Sequence, residues 1–330
     1  MISKHNVSSN RNLYIDFLKV IAIIFIIITH DPWSSDNVEL PLFVLVIDMA
    51  VPIFMIVSGY NYANGKHGVI KDEYKLCHIL KRLKRFLLPY IIVVFGEVVL
   101  LLVIKNKEYT VATLLLDIVK GGYGPGAYYT PIMFQFVFLV PILWYIYNRY
   151  GIYSIFLINL FYELLYTIMG FPEGIYQFCF IRYLFLVSLG FEMKKREDKE
   201  NKLIAILFVI GFCYLISTSY LYEPIIFKRW TTTSMMSGLY LWPILLIGKK
   251  FFDKSAIQGN KKYILILISN ATFHIYLVQM VYYYIGVQRI FGGMPAGVRV
   301  CLSVLVCLIC GNIFYGVMYK IKSVGVKRNA

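Results

Sequence analysis

Apolar runs of membrane length recur along this chain from one end to the other, and that recurrence leaves few folds open. Ten such runs are read at 14–31, 41–63, 86–104, 129–148, 152–170, 174–192, 203–221, 233–248, 263–285 and 298–319. A stretch of about 20 apolar residues spans the roughly 30 Å hydrocarbon core of a bilayer as a helix. Inside lipid every backbone polar group has to be satisfied within the segment, which favours helices. The expectation is therefore an all-α, polytopic membrane bundle of about ten helices, forming a single domain over residues 1–330 with no soluble domain attached. Composition agrees: charged residues are only 15% of the chain, against about 25% in a soluble domain.

A formal net charge of +15 over 330 residues raises the question of a nucleic-acid partner, and its distribution answers it. With an even number of spans, both termini lie on one side. If that side is the cytoplasm, 25 of the 33 Lys and Arg residues fall on inner segments and 7 on outer loops, with Arg182 in mid-span. This is the positive-inside pattern of membrane proteins, and it excludes the nucleic-acid reading. The six cysteines fall mostly within apolar spans and read as small core residues. Cys307 and Cys310 have CxxC spacing, but no second ligand pair accompanies them, so no metal site is expected. The first apolar run lacks a small-residue cleavage site and is followed by further spans, unlike a signal peptide.

That first run is also impure. It contains Asp16 and Lys19 and ends on His30, and ionisable groups at membrane depth mark functional sites by default. Lys19 and His30 are eleven residues apart, so on a helix they fall within roughly 20° of one face and about 16.5 Å apart along the axis. One groove lined by both is expected. His30 is the candidate general base, since histidine titrates near neutral pH; the plainer alternative is an interfacial histidine bonded to backbone. Asp16 and Lys19, three apart, are placed to pair.

Further along, Ser58-Gly59-Tyr60 closes the second span, where glycine lets helices or a substrate approach closely. Arg82 and Arg85 share one side of a helix-like segment, Cys77 to Phe86, at the inner surface. Two guanidiniums at that spacing suit the phosphates of a nucleotide-like donor; contact with anionic membrane lipids is the alternative. Pro89 is expected in the opening turns of the third span, where proline is tolerated. The outer segment Lys105 to Tyr129 contains a stretch, Leu114 to Val119, that reads as re-entrant, followed by the glycine-rich run Gly121 to Gly126. The glycine run follows no strand and lacks the phosphate-binding lysine, so it is not a phosphate loop. Glu97, Glu163, Arg182 and His274 are further polar groups inside spans, expected to face the bundle interior.

Taken together these segments resemble acyltransferase family 3, integral-membrane enzymes that move acyl groups, usually acetyl, onto cell-surface glycans. The likeness runs through Arg11, Asp16-Phe17-Leu18-Lys19, Ala22 and His30; Val51-Pro52-Ile53-Phe54 to Ser58-Gly59-Tyr60; Lys81-Arg82-Leu83-Lys84-Arg85-Phe86-Leu87-Leu88-Pro89-Tyr90; and Phe273-His274-Ile275-Tyr276-Leu277, in the family's order. The chain departs from the pattern in three places. Lys19 stands where the family usually has arginine, Gln279 replaces a late histidine, and Tyr128 or Tyr129 stands where tryptophan is frequent. The resemblance implies a bacterial cytoplasmic (cell) membrane protein with acetyl-CoA as co-substrate and no bound cofactor. It implies His30 as the catalytic base, with Asp16, Lys19, Arg82 and Arg85 toward the acyl-CoA. Ser58, Tyr60, Tyr128, Tyr129 and His274 are the acceptor or channel candidates. The acceptor implied is a capsular or exopolysaccharide sugar hydroxyl or a lipid-linked glycan. O-Succinyl transfer is a variant within the family. A glycan transporter or flippase is the alternative class, although the sequence shows neither inverted repeats nor paired broken helices.

Overall fold

The structure is a computed structural model that describes residues 11–31, 43–65, 70–105, 110–195, 203–221, 233–254 and 257–328. Pro32, Trp33, the first two residues of the second expected span, and loop cations such as Lys107, Arg196, Lys228 and Arg229 lie outside the described residues. Among the described residues every regular element is helical. The helices are α1 (Leu13–Thr29), α2 (Phe43–Val46), α3 (Ala50–Ala63), α4 (Ile70–Glu73), α5 (Leu76–Lys105), α6 (Val111–Lys120) and α7 (Tyr129–Met169). They continue as α8 (Glu173–Phe178), α9 (Leu184–Lys195), α10 (Leu203–Ile216), α11 (Met235–Lys254), α12 (Gly259–Ile285) and α13 (Ala296–Arg328). Among the described residues five helical stretches are long and apolar enough to cross a membrane: Phe43–Ala63, Leu76–Val103, Tyr129–Met169, Gly259–Ile285 and Ala296–Ile321.

Helix α1 sits at the centre. Asn12 caps it, its side-chain oxygen accepting from the backbone N–H of Tyr14 (3.0 Å) and Ile15 (3.3 Å), the bonds an N-cap asparagine supplies to otherwise orphaned donors. Ala22, Ile23 and Ile27 are completely buried where α1 packs on α3 and α12. Helix α3 in turn packs on α9, at very short range. A Cβ on Gly59 would collide with the carbonyl of Val187, and one on Gly190 with the carbonyl of Ile56. Of the two uses open to Ser58-Gly59-Tyr60, the glycine thus serves helix packing.

Several helices differ from the expected continuous spans. Helix α7 runs 41 residues, about 60 Å if straight, twice the hydrocarbon thickness. Gly151, at φ 78° and ψ −178°, interrupts it between the runs 129–148 and 152–170. Helix α5 begins at Leu76, so Pro89 is inside a 30-residue helix and not in its opening turns. Arg82 and Arg85 therefore belong to the same helix as the third span. The second span is broken by a 3₁₀ turn at Ile47–Met49. The run 174–192 is broken at Cys179, whose backbone is extended (φ −90°, ψ 122°), and resumes through a 3₁₀ turn at Phe180–Tyr183. A π-helical turn, Ser217–Leu221, ends the run that α10 begins. The expectation of unbroken spans is corrected on these points.

Side chains from α7 explain how the chain tolerates the break at Cys179. The Gln135 amide donates to Phe178 O (2.6 Å) and accepts from Phe180 N (3.0 Å), and Asn159 Oδ1 accepts from Phe185 N (3.0 Å). These bonds satisfy backbone groups that the interrupted helix cannot.

Candidate functional site

Two cavities lie along α1. The first, about 500 Å³, is lined among others by Lys19, Ser58, Arg82, Arg85, Asn270 and His274. Asp16 is buried behind it and is held chiefly by Arg11, whose Nε donates to Oδ2 at 2.5 Å and Nη2 to Oδ1 at 2.9 Å. Ser269 Oγ donates to the same carboxylate at 2.5 Å. Lys19 Nζ stands 3.9 Å from Asp16 Oδ1, so the expected Asp16–Lys19 pair is present but secondary to Arg11. The Lys19 ammonium is consequently left to face the cavity. Arg82 donates to the buried Glu73 carboxylate and stands over the Tyr62 ring, 5.9 Å from its centroid. Arg85 is exposed and, among the described residues, takes part in no ion pair. His274 is buried edge-on against Phe314 and Tyr315, each at 5.2 Å between ring centroids.

The second cavity, about 720 Å³, is lined by His30, Thr29, Asp48, Lys120, Gln177 and Thr233 together with the glycine-rich loop. The broken spans converge on it. Asp48 belongs to the 3₁₀ turn at Ile47–Met49, Gln177 and Phe178 precede the break at Cys179, and Ser219 lies in the π turn. Irregular backbone at membrane depth persists where it is buried in protein or lines a cavity, so the breaks and the cavity account for each other.

His30 is the C-cap residue of α1 and is only half-buried. Among the described residues its imidazole makes no hydrogen bond; its ring meets Tyr283 edge-on at 6.4 Å. A Cβ added to Gly126, which sits at φ +83°, would stand 3.2 Å from His30 Nε2. The loop thus presses against the imidazole, and only glycine fits there without strain. The loop is held in place from several sides. Tyr276 Oη donates to Gly126 O at 2.8 Å, Gln279 Nε2 to Pro125 O at 3.3 Å, and Tyr123 N to Glu97 Oε2 at 3.2 Å. The Tyr123 hydroxyl bonds Asp117 of α6. Gln279, at the place of the family's late histidine, is a loop tether. Behind His30, Arg299 donates from Nε (2.9 Å) and Nη2 (2.6 Å) to Oδ1 of the buried Asp31. This pins the end of α1 to α13.

The structure separates Lys19 from His30. Each faces its own cavity, so the expected single groove becomes two spaces that meet where both are lined by Ile26, Tyr129 and Tyr276. Of the acceptor or channel candidates, Tyr128 lines the second cavity, Tyr129 lines both, and Ser58 and His274 line the first. Tyr60 lines neither. It is buried, accepts from Asn12 Nδ2 at 2.9 Å, and has Lys194 over its ring.

Other polar groups were not singled out from sequence. Asp48 is an ionisable residue inside an apolar run and meets the same rule that marked Asp16 and Lys19. The pairings Arg11–Asp16, Glu73–Arg82 and Asp31–Arg299 depend on tertiary contacts. Glu163 accepts from Tyr176 Oη at 3.0 Å, and Arg182 bonds Thr233 between the rings of Tyr176 and Tyr183. These two are interior groups, as expected.

The arrangement sets cationic side chains in one cavity and a histidine among hydroxyl, amide and carboxyl groups in the other. It can hold an anionic donor on one side and take a proton from a hydroxyl on the other. A family model described as an acyltransferase domain matches residues 12–315 of the chain. No curated protein and no solved structure matches it.

Proposed function

Because the chain belongs to acyltransferase family 3, we propose that it is a membrane O-acyltransferase that moves acetyl from acetyl-CoA to a sugar hydroxyl. The acceptor is a capsular polysaccharide, another cell-surface polysaccharide or its lipid-linked precursor. The observation that carries this reading is the pair of cavities meeting beside α1, with Lys19, Arg82 and Arg85 on one and His30 on the other. Phosphates of the donor lie at the arginines, because guanidinium binds phosphate through paired hydrogen bonds. Lys19 contributes a point charge in place of the family's usual arginine. The thioester reaches past Ile26 toward His30. The acceptor hydroxyl lies in the second cavity, where Asp48, Thr29, Gln177 and Thr233 offer hydrogen bonds.

A ring nitrogen of His30 then takes the hydroxyl proton as the oxygen bonds to the thioester carbon. The carbon–sulfur bond breaks, and the departing thiolate takes the proton from the imidazolium. The products are an O-acyl ester and free CoA. The protein in this reading is one domain of ten spans in a bacterial cytoplasmic membrane, with both termini and the donor side inward.

The broken spans give a glycan transporter or flippase one argument, since transporter sites are built from such helices. Membership of an acyltransferase family weighs against it. Membranes carrying the protein, given acyl-labelled acetyl-CoA, decide between them. The expected result is base-labile label in glycan, with His30→Ala reducing transfer by about 10²-fold or more while the protein still inserts. Undiminished transfer by that variant removes His30 as base. Glycan crossing the membrane without ester formation supports the transporter. A succinyl-CoA arm identifies the O-succinyl variant.

A further inference from the structure

The two cavities share only a narrow lining, and its make-up bears on which acyl groups can pass. Ile26, Tyr129 and Tyr276 come from three different helices, α1, the start of α7, and α12. The two tyrosine rings meet edge to face with centroids 5.2 Å apart, which is van der Waals contact. Tyr276 is fixed at its hydroxyl, donating to Gly126 O at 2.8 Å and lying 3.5 Å from Thr130 Oγ1. Tyr129 is wedged on its other side by Phe54, at 6.3 Å between centroids. Both aromatic sides of the neck are therefore held. Its third side is Ile26, which carries no hydrogen-bonding group and is 6% exposed.

Ile26 also has a particular place on α1. It stands seven residues after Lys19 and four before His30, spacings that keep all three on one helical face. The step to His30 is about 6 Å along the axis. A group travelling from the Lys19 side to the His30 side passes the Ile26 side chain just before it reaches the imidazole.

We infer that Ile26, set against the Tyr129–Tyr276 pair, is a width filter that admits unbranched acyl thioesters to His30 and rejects acyl groups branched next to the carbonyl. This rests on the acyltransferase reading of the two cavities. An unbranched acyl chain is no wider than the cysteamine end of the pantetheine arm, the part that must follow it through a neck about 6 Å from His30, so the filter acts on breadth and not on length. A methyl branch beside the carbonyl adds breadth at the point where Ile26 and the two tyrosines line the passage. An excess methyl group in an apolar passage costs about tenfold or more in kcat/KM.

The experiment supplies purified protein and acceptor glycan extracted from the producing cells with n-butyryl-CoA and isobutyryl-CoA, two donors of equal carbon count. Free CoA is measured by mass spectrometry, and donor binding by the shift in melting temperature. The wild type is expected to favour n-butyryl-CoA by about tenfold or more. Ile26→Ala should raise the isobutyryl to n-butyryl ratio by a similar factor. Ile26→Val should raise it less, and Ile26→Phe should lower n-butyryl and acetyl turnover together. A ratio that stays the same across Ile26→Ala and Ile26→Val, in protein that still elutes as a single species, overturns the filter and leaves the acyltransferase reading intact. If no acyl-CoA is consumed by the wild type and none shifts its melting temperature, the donor reading fails and the filter fails with it.

Discussion

Asp31 and Arg299 show how a single ion pair can position a reactive side chain it does not touch. Both Arg299 donors converge on Oδ1, at 2.9 and 2.6 Å, inside the bundle. The residue before Asp31 is His30, so the pair fixes the imidazole against the second cavity. Removing one member leaves an uncompensated buried charge, which costs about 3–5 kcal/mol. Arg299→Met is therefore expected to lower the melting temperature of the purified protein markedly, and adding Asp31→Leu should recover most of the loss. If the double variant is less stable than Arg299→Met alone, the pair is not the reason. Part of this site was legible in the sequence because it is local: Asp16, Lys19 and His30 interrupt one apolar run. Arg299, 268 residues from its partner, could not be paired with Asp31 from sequence because the contact is tertiary. Asp48 was legible by the same rule as Asp16, as an ionisable residue inside an apolar run.

The crossing of α3 and α9 is the element on which the helices around α1 depend. Gly59 and Gly190 let the two backbones come so close that an added Cβ overlaps a carbonyl of the neighbouring helix. Forcing larger atoms into a packed contact costs typically about 1–3 kcal/mol. Gly59→Ala should accordingly reduce stability and monodispersity in detergent. Gly96→Ala is the matched control, because a Cβ at Gly96 meets nothing within 4 Å, and it is expected to be neutral or stabilising by about 0.5–1 kcal/mol. Equal effects from the two substitutions would remove the packing argument. The Gly59 contact was legible as a small residue in an apolar helix, although not its partner. The break at Cys179 was not legible, since no glycine or proline sits there. Its freed backbone groups are satisfied by Gln135 and Asn159 of α7, so the cause lies in another element. The Gly151 break was legible because Arg149 and Gly151 already divide the apolar run.

For the molecule as a whole, helical class and membrane character were legible because hydropathy and length carry them. The neck of Ile26, Tyr129 and Tyr276 was not, because three separate helices make it. The proposed orientation rests on the skew of Lys and Arg and predicts a labelling pattern. In a background with the native cysteines replaced, an impermeant maleimide added to intact cells should label Lys120→Cys and leave Lys84→Cys unlabelled. The reverse pattern would invert the topology and place the donor cavity outside. In the proposed reading, the narrow neck between the two cavities also bears on insulation. A continuous wet path from Lys19 to His30 would let ions follow the membrane potential, each elementary charge releasing about 2.3 kcal/mol per 100 mV. An apolar neck of two rings and an isoleucine strips hydration from an ion but not from an acyl chain, so the proposed transfer route need not short-circuit the membrane.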